Sequence, residues 1–507
     1  MADVLIVCIL VLMNAWIAYQ LWGVLSDDFA ITFRVSYNFS IGRGLVYNPG
    51  SHYQSTSAPG YAFLLGVIGW MFGKGSITIA ADLLSAVALF AIGIGTYVLG
   101  RKRHWFLGAI LAISVTAIPL VWWAYDNEFL PQLALVVWGY VLMERRPTAA
   151  AVLFAFAVVV RPDAALALAP ALGLYIWRYR KFPVMPAIAF LCVILPCAFL
   201  VWRQYGHFLP DTMGAKAARL LAIQRHDKRG TTFFGHQVLQ WMEGYIPLPD
   251  PELWLYLAVL GAVVLLIRLR ITSLVALASW IALYYAFYAG YYKVYETWYY
   301  APVGLGLAMM VSCIFFELCR WAATPKKYAR IAASTALAIV AVLIADQLYA
   351  YFHSMVSTAF ILNASTGLSF LVLGILAFGV LAFFCWLSVK YLLPWTGGEK
   401  GKFSAPVASA PGIVAACFAL DLMAGFLDGD LRMAGSRATL VRTTLYTEAG
   451  KWLDLHVRPG VTVGYTEIGF IGWNAPNVVI MDPLGLGSPA PREFIQRAMK
   501  WPVRTQR

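Results

Sequence analysis

The chain has 507 residues, of which 61% are hydrophobic and 12% charged, with a formal net charge of +13 and a mean hydropathy of +0.71. A soluble protein carries about 25% charged residues and has enough polar surface to cover its core, so a soluble globular domain is excluded as a description of the whole chain. The positive charge does not mark a nucleic-acid partner, because it sits in short clusters between apolar runs: Arg101–Arg103, Arg145–Arg146, Arg178–Lys181, Arg268 with Arg270, Arg320–Arg330 and Lys390–Lys402. That is the positive-inside pattern of a polytopic membrane protein.

The first apolar run, residues 3–24, carries Asp3, has no basic leader and meets no small-residue cleavage site before "YQLWGVLSDD". It reads as a retained span and not a signal peptide. Ser26 can cap a helix running from Asp27 to about Ile41, and two acids in a first turn suit the helix dipole. Residues 27, 31, 34 and 38 then share a face, grouping Asp27, Arg34 and Asn38. Phe29, Phe33 and Val35 lie opposite, as on a helix resting at the membrane interface. The glycines of "GRG" at 42–44 end it.

The next apolar segment, 58–72, has about 15 residues where a span needs roughly 20. If it crossed, every later basic cluster would change sides, so it is expected to be an interfacial helix on the outer face. Further spans are expected near 76–100, 106–123, 129–143, 148–161, 164–177, 183–202, 252–268, 271–289, 300–319, 331–349, 365–393 and 411–427. The total is about 13, with the N-terminus inside and the C-terminus outside. Residues 25–75, 203–251 and 428–507 are then external. "TGGEKGKFSAPVASAPG" at 396–412 reads as a flexible linker. Residues 1–427 form the membrane domain, and 428–507 a small α/β module. In that module "GVTVGYTEIGFIGW" and "NVVIMDPLGL" alternate like strands between helical stretches. All seven cysteines lie in apolar runs, so neither a disulfide framework nor a thiolate metal site is expected.

Four external groups can carry chemistry. Asp27 and Asp28 leave the first span together. The bend "VWWAYDNEFL" at 121–130 sets Asp126, Asn127 and Glu128 beside Trp122, Trp123 and Tyr125, as loop solvation or a sugar platform. Arg161-Pro162-Asp163 breaks an apolar stretch, as a tight turn with a local ion pair or as a site for an anionic headgroup. The loop 203–251 carries Arg203, Lys216, Arg219, Arg225, Lys228 and Arg229 against the positive-inside trend, which suits a phosphate ligand. A second external cluster holds Tyr291, Tyr292, Lys293, Tyr295 and Glu296. No Walker A, H-E-x-x-H or G-x-S-x-G sequence occurs, and the external histidines have no metal-site spacing.

The stretch "DDFAITFRVSYNFSIGRGLVYNPG" followed by "STSAPGYAFLL" resembles integral-membrane glycosyltransferases of the GT-C class. Within that class it looks like the bacterial arabinofuranosyltransferase-like branch. Asn127-Glu128, Arg161-Pro162-Asp163, "LPDT" with Lys216, and "EIGFIGW…VVIMDPLGL" match later motifs of that branch in order. The chain departs from it at Phe29-Ala30, where the branch has Ala-Phe, at "SHYQSTSAP", where it has an acidic run, and before Glu128, where it has Gly-Met.

The resemblance implies transfer of a sugar from a polyprenyl-phosphate donor to a cell-envelope glycan, lipid or protein, on the outer face of the inner membrane and with inversion. The sugar could be arabinofuranose. Asp27 and Asp28 are the implied catalytic residues, Asp27 as the base and Asp28 as its partner or a ligand to a divalent cation, with the choice of base between the two still open. Arg34, Arg161, Lys216, Arg219 and Lys293 are the implied phosphate contacts. Asn38, Tyr53, Asn127, Glu128, Asp163 and His207 are the implied substrate contacts. No other cofactor and no nucleic acid is implied; membrane lipids are the remaining partner. A transporter, flippase or ligase for lipid-linked saccharides is the alternative. Coupled transport places ionisable groups mid-span, whereas here only Asp82 and Asp421 are prominent there.

Overall fold

The structure is a computed structural model that describes residues 2–23, 26–215, 253–292, 297–322 and 437–489. It is built mainly of helices: α1 (Ala2–Leu21), α2 (Asp27–Ser40), α3 (Pro59–Phe72), α4 (Gly75–Arg101), α5 (Trp105–Ala117), α6 (Pro119–Trp122), α7 (Phe129–Leu142), α8 (Pro147–Val160), α9 (Leu168–Tyr179), α10 (Val184–Tyr205), α11 (Leu253–Val264), α12 (Thr272–Phe287) and α13 (Ala301–Ala322). The sequence marks many of these ends. Proline occupies the first turn of α3 and α8, where its missing N–H costs nothing. His104 Nδ1 caps α5 by accepting from the Phe106 N–H at 3.2 Å. Gly206, at φ 80°, closes α10 in the left-handed region.

Among the described residues, four stretches are long and apolar enough to cross a membrane: Gly75–Arg101, Val184–Tyr205, Thr272–Gly290 and Trp298–Trp321. Shorter apolar helices at Asp3–Tyr19, Trp105–Ala117, Phe129–Leu142, Pro147–Val160 and Leu255–Leu269 fall where other spans were expected, and Pro59–Phe72 falls where an interfacial helix was expected; the span expected at 164–177 is a 3-10 turn at Pro162–Ala167 followed by α9. The spans expected at 331–349, 365–393 and 411–427, the linker 396–412 and the boundary at 428 lie outside the described residues.

The basic clusters meet at one end of the bundle. The Glu144 carboxylate, just beyond α7, pairs with Lys102 at 3.1 Å and with Arg178 at 3.7 Å, and it accepts from the hydroxyls of Thr272 and Ser273. Arg101 meets Asp3 at 2.7 Å, tying the start of α1 to the end of α4. The loops after α4, α7, α9 and α11 therefore share one face, as the charge pattern requires.

At the other end, α2 differs from its sequence reading. Phe29, Phe33 and Val35 face protein and not a membrane surface. Phe29 and Phe33 pack with Ala58, Tyr61, Leu65 and Ile77 of α3 and α4. Ile31 and Val35 pack under Ile468, Ile471 and Ile480. The helix is covered on both sides because the C-terminal segment lies over the face left open by α3. The helix α3, expected to be interfacial, exposes Phe63, Leu64, Trp70, Met71 and Phe72.

The C-terminal segment comprises α14 (Arg437–His456), β1 (Thr462–Gly464), α15 (Ile468–Asn474) and β2 (Val479–Met481). The strands pair in parallel, with Thr462 opposite Val479 and Gly464 opposite Met481. A parallel pair needs a crossover, and here that crossover is α15. Half of the stretch expected to be strand over 460–473 is therefore helix. The helix "PREFIQRAMKW", expected at 491–501, lies outside the described residues.

Candidate functional site

Two adjacent carboxylates at the start of α2 point to different places, since neighbouring helical residues are about 100° apart. Asp27 turns toward the C-terminal segment. Its carboxylate accepts from the N–H groups of Gly469 at 3.0 Å and Phe470 at 2.8 Å, at the start of α15. A Cβ on Gly469 would collide with the Asp27 carbonyl oxygen, and one on Gly472 with the Tyr47 hydroxyl. The "GFIG" spacing is what lets α15 lie this close to α2. Ser26 stands at the N-cap position without a side-chain capping bond.

Asp28 instead lines a cavity of about 480 Å³, counting its open mouth. Ser55, Thr56 and Ser57 line it from the segment before α3, and Asn127 and Glu128 from the bend before α7. Arg161 enters from the break after α8, Thr212 from the loop after α10, and Trp298 and Tyr299 from the stretch before α13.

Arg161 organises one wall. It is 4% exposed. Its Nη1 donates to Glu128 Oε1 at 2.6 Å and its Nε to Asp163 Oδ2 at 3.0 Å. Its guanidinium carbon lies 3.8 Å from the Phe129 ring centroid and 4.8 Å from that of Tyr299. Burial opposes its charge, but Asp163 and the other groups facing it outweigh burial and hold it protonated above the usual arginine range. Asp163 also accepts from Gln132 Nε2 at 2.7 Å and from the Tyr288 hydroxyl at 2.5 Å. The Arg-Pro-Asp turn thus contains its local ion pair and presents Arg161 to the cavity as well.

The other sequence candidates are placed differently. Arg34 is 0% exposed. Its donors go to the carbonyls of Tyr47 at 2.8 Å, Gly472 at 2.7 Å, Ala475 at 3.1 Å and Val478 at 2.6 Å, and to Asn48 Oδ1 at 3.4 Å. Burial lowers its pKa. Asn38 holds the carbonyls of Val46 and Tyr47 at 2.8 and 2.9 Å. The Tyr53 hydroxyl donates to the Gly485 carbonyl. His207 pairs with Asp211 at 3.3 Å, and Asp211 accepts from the Gln54 N–H at 2.7 Å. None of these four lines the cavity. Lys216, Arg219 and Lys293 lie outside the described residues. Trp122, Trp123 and Tyr125, one reading of which was a sugar platform, are buried in the main core, so they offer no ring face to a sugar. Ser55–Ser57, Thr212, Trp298 and Tyr299 line the cavity without having been singled out. Small hydroxyls before Pro59 and a Thr after "LPD" leave no periodic signal.

This arrangement sits on a known architecture. The crystal structure of ArnT from Cupriavidus metallidurans bound to undecaprenyl phosphate aligns with a TM-score of 0.56 at 15% identity, covering 96% of this chain and 87% of that one. The apo-state structure of the same protein aligns with a TM-score of 0.52 at 15% identity, over 94% and 87%. The chain has the fold of ArnT. The chain matches no family model and no curated protein.

Chemically, the cavity is lined by a carboxylate (Asp28) and by a guanidinium already paired with two carboxylates, together with hydroxyls and aromatic side chains. Among the described residues no group of three or more His, Cys, Asp or Glu side chains converges as a metal site.

Proposed function

We propose that the protein is a membrane glycosyltransferase that takes its sugar from a polyprenyl-phosphate carrier, with Asp28 as the base. The observation that carries this reading is the polar cavity at the start of α2, which Asp28 and Arg161 both line, on a fold like that of ArnT with undecaprenyl phosphate bound. The Asp28 carboxylate accepts the proton of the acceptor hydroxyl as that oxygen bonds to the anomeric carbon. The bond from the anomeric carbon to the phosphate oxygen breaks, and its electron pair leaves with the phosphate. Attack opposite the leaving group inverts the centre. Phosphate leaves without a general acid, so one carboxylate suffices for proton transfer.

Asp28 and Glu128 line the cavity, and Arg161, which also lines it, is already paired with Glu128 and Asp163. The phosphate end of the donor therefore needs cations from elsewhere in the chain. Lys216 follows the lining residue Thr212 by four positions, and Lys293 precedes Trp298 by five; with Arg219 they are the proposed phosphate contacts. The cavity lies at the end of the bundle opposite the Glu144 cluster, which by the positive-inside rule is the outer leaflet. Sugar (a pentose such as arabinofuranose fits the motif resemblance) and acceptor remain the finer parts of the proposal.

The test is transfer from a polyprenyl-phosphate pentose by purified protein in detergent. Asp28→Asn should lower turnover by ~10²-fold or more while leaving the thermal midpoint unchanged. Full turnover in that variant would remove Asp28 from the chemistry.

A further inference from the structure

Behind the cavity wall made by Asn127 and Glu128 lie two carboxyl groups that the proposed chemistry does not use. Asp126 directly precedes those residues, is 1% exposed and has φ 63°. That left-handed conformation is one that Asp and Asn tolerate better than most side chains, and such strain persists only where the surroundings fix it. They do so here. The Asp126 N–H donates to Ser85 Oγ on α4 at 2.9 Å. One turn earlier on α4 stands Asp82, 2% exposed. The Tyr125 hydroxyl donates to the Asp82 carbonyl at 3.0 Å, and the Gly23 N–H, just after α1, donates to Asp82 Oδ1 at 3.3 Å.

The carboxyl groups of Asp82 and Asp126 lie close enough to interact, and a hydrogen bond between them forms only if one of them carries a proton. No described N–H or hydroxyl donates to either Asp126 carboxyl oxygen. The groups that face the pair are Tyr61 from α3, whose buried hydroxyl also has no partner among the described residues, Tyr125 and Glu128 from the bend, and the Gly23 N–H. Neither carboxyl forms an ion pair with a described Lys, Arg or His; the nearby Arg161 is paired with Glu128 and Asp163.

An ionised carboxylate has only acceptors. Two of them cannot hydrogen-bond, and in contact at a buried site they repel. We infer that Asp82 and Asp126 share one proton, and that this protonated pair is a positioning element that fixes the bend from which Asn127 and Glu128 reach the cavity. The pair then holds one negative charge instead of two. Asn127 continues the bend by donating from its N–H to the Ala124 carbonyl at 3.2 Å, and Glu128 follows as the N-cap of α7. Where Asp126 is anchored therefore sets where Glu128 meets Arg161. The electrostatics agree. Burial, then the Asp82 charge and the hydrogen bond to it, push the Asp126 carboxyl well above the ordinary carboxylate range. A pKa raised by folding contributes stability that is present at low pH and lost as pH rises through the raised value. The titration belongs to the pair and not to either residue alone.

The inference stands apart from the glycosyl-transfer reading, and its test needs no substrate. Infrared spectra of the purified wild-type protein at neutral pH should show the carbonyl stretch of a protonated carboxyl. That band should be lost in both Asp126→Asn and Asp82→Asn. The wild-type thermal midpoint should fall as pH rises above the range where ordinary carboxyls titrate. Asp126→Asn tolerates the same φ and supplies an amide donor to Asp82 at every pH, so its midpoint should be flatter with pH and higher than wild type at the alkaline end. Asp126→Ala should be lower than wild type throughout. Absence of the band from wild type, its survival in both Asn variants, or a wild-type pH slope in Asp126→Asn would each overturn the shared proton.

Discussion

Arg34→Lys separates two roles for the cation on α2. The side chain serves five acceptors: four backbone carbonyls and Asn48 Oδ1. Three of those carbonyls belong to residues 472–478, so the guanidinium joins α2 to the C-terminal segment. A lysine offers three donors where arginine offers five in a planar fork. Asn38, the Val478 N–H and the Ile480 N–H also serve Tyr47, Ala475 and Asn48, so the acceptors that depend on Arg34 are the Gly472 and Val478 carbonyls, held by its two separate Nη atoms. A single ammonium nitrogen that leaves one of them unpaired costs about 1–3 kcal/mol, and the lower figure corresponds to about a 5-fold rise in opening. Hydrogen exchange should report it at the Val479 and Tyr465 amides, which donate to the Val461 and Met481 carbonyls and so close the β1–β2 pair. The donor KM should change little at temperatures where the segment stays docked. If exchange and thermal midpoint stay at wild-type values while the donor KM rises tenfold, Arg34 contacts phosphate and the reasoning from its carbonyl partners fails.

Further outcomes follow from the same contacts. Gly472→Ala puts a methyl group against the Tyr47 hydroxyl and Arg34 Nη1; it should weaken docking by about 1–3 kcal/mol, seen as faster proteolysis within 437–489. Asp163→Asn removes the charge that pairs Arg161 and accepts from Tyr288 and Gln132. It should cost about 3 kcal/mol, lower the thermal midpoint and lower turnover, and an unchanged midpoint would argue against the network. Glu128→Gln keeps the shape but removes the other charge on Arg161. With Asp163 still paired, the fold should persist while transfer falls, and equal transfer by variant and wild type would place Glu128 outside the working site.

The apolar helices as far as residue 322 were legible because a bilayer demands long apolar runs, which are written locally. The Glu144 cluster brings loops far apart in sequence onto one carboxylate. The first loop was legible as a site but not atom by atom. Asp27 and Asp28 are chemically identical in sequence, and only the N–H groups of Gly469 and Phe470, more than 440 residues away, separate their roles. Arg34 has the same difficulty, since carbonyl oxygens converging on a cation leave no residue-type signature. Phe29 and Phe33 form an apolar face in either reading; whether lipid or protein covers it depends on a segment at the other end of the chain. The strand pattern over 460–473 was ambiguous because short apolar runs fit both periods, and Gly469 and Gly472, three apart, were the residues that favoured the helix.

Arg34 also has a consequence for biosynthesis. Its acceptors at Gly472, Ala475 and Val478 leave the ribosome 438 to 444 residues after it. Through almost the whole of synthesis and insertion, α2 carries a guanidinium whose burial is not yet compensated and an apolar face not yet covered. A chain stopped before residue 478 can insert its spans without completing the wall on which Asp28 stands. Assembly of the cavity is thereby tied to arrival of the last hundred residues, and truncated or stalled chains would be held in the membrane without a working site.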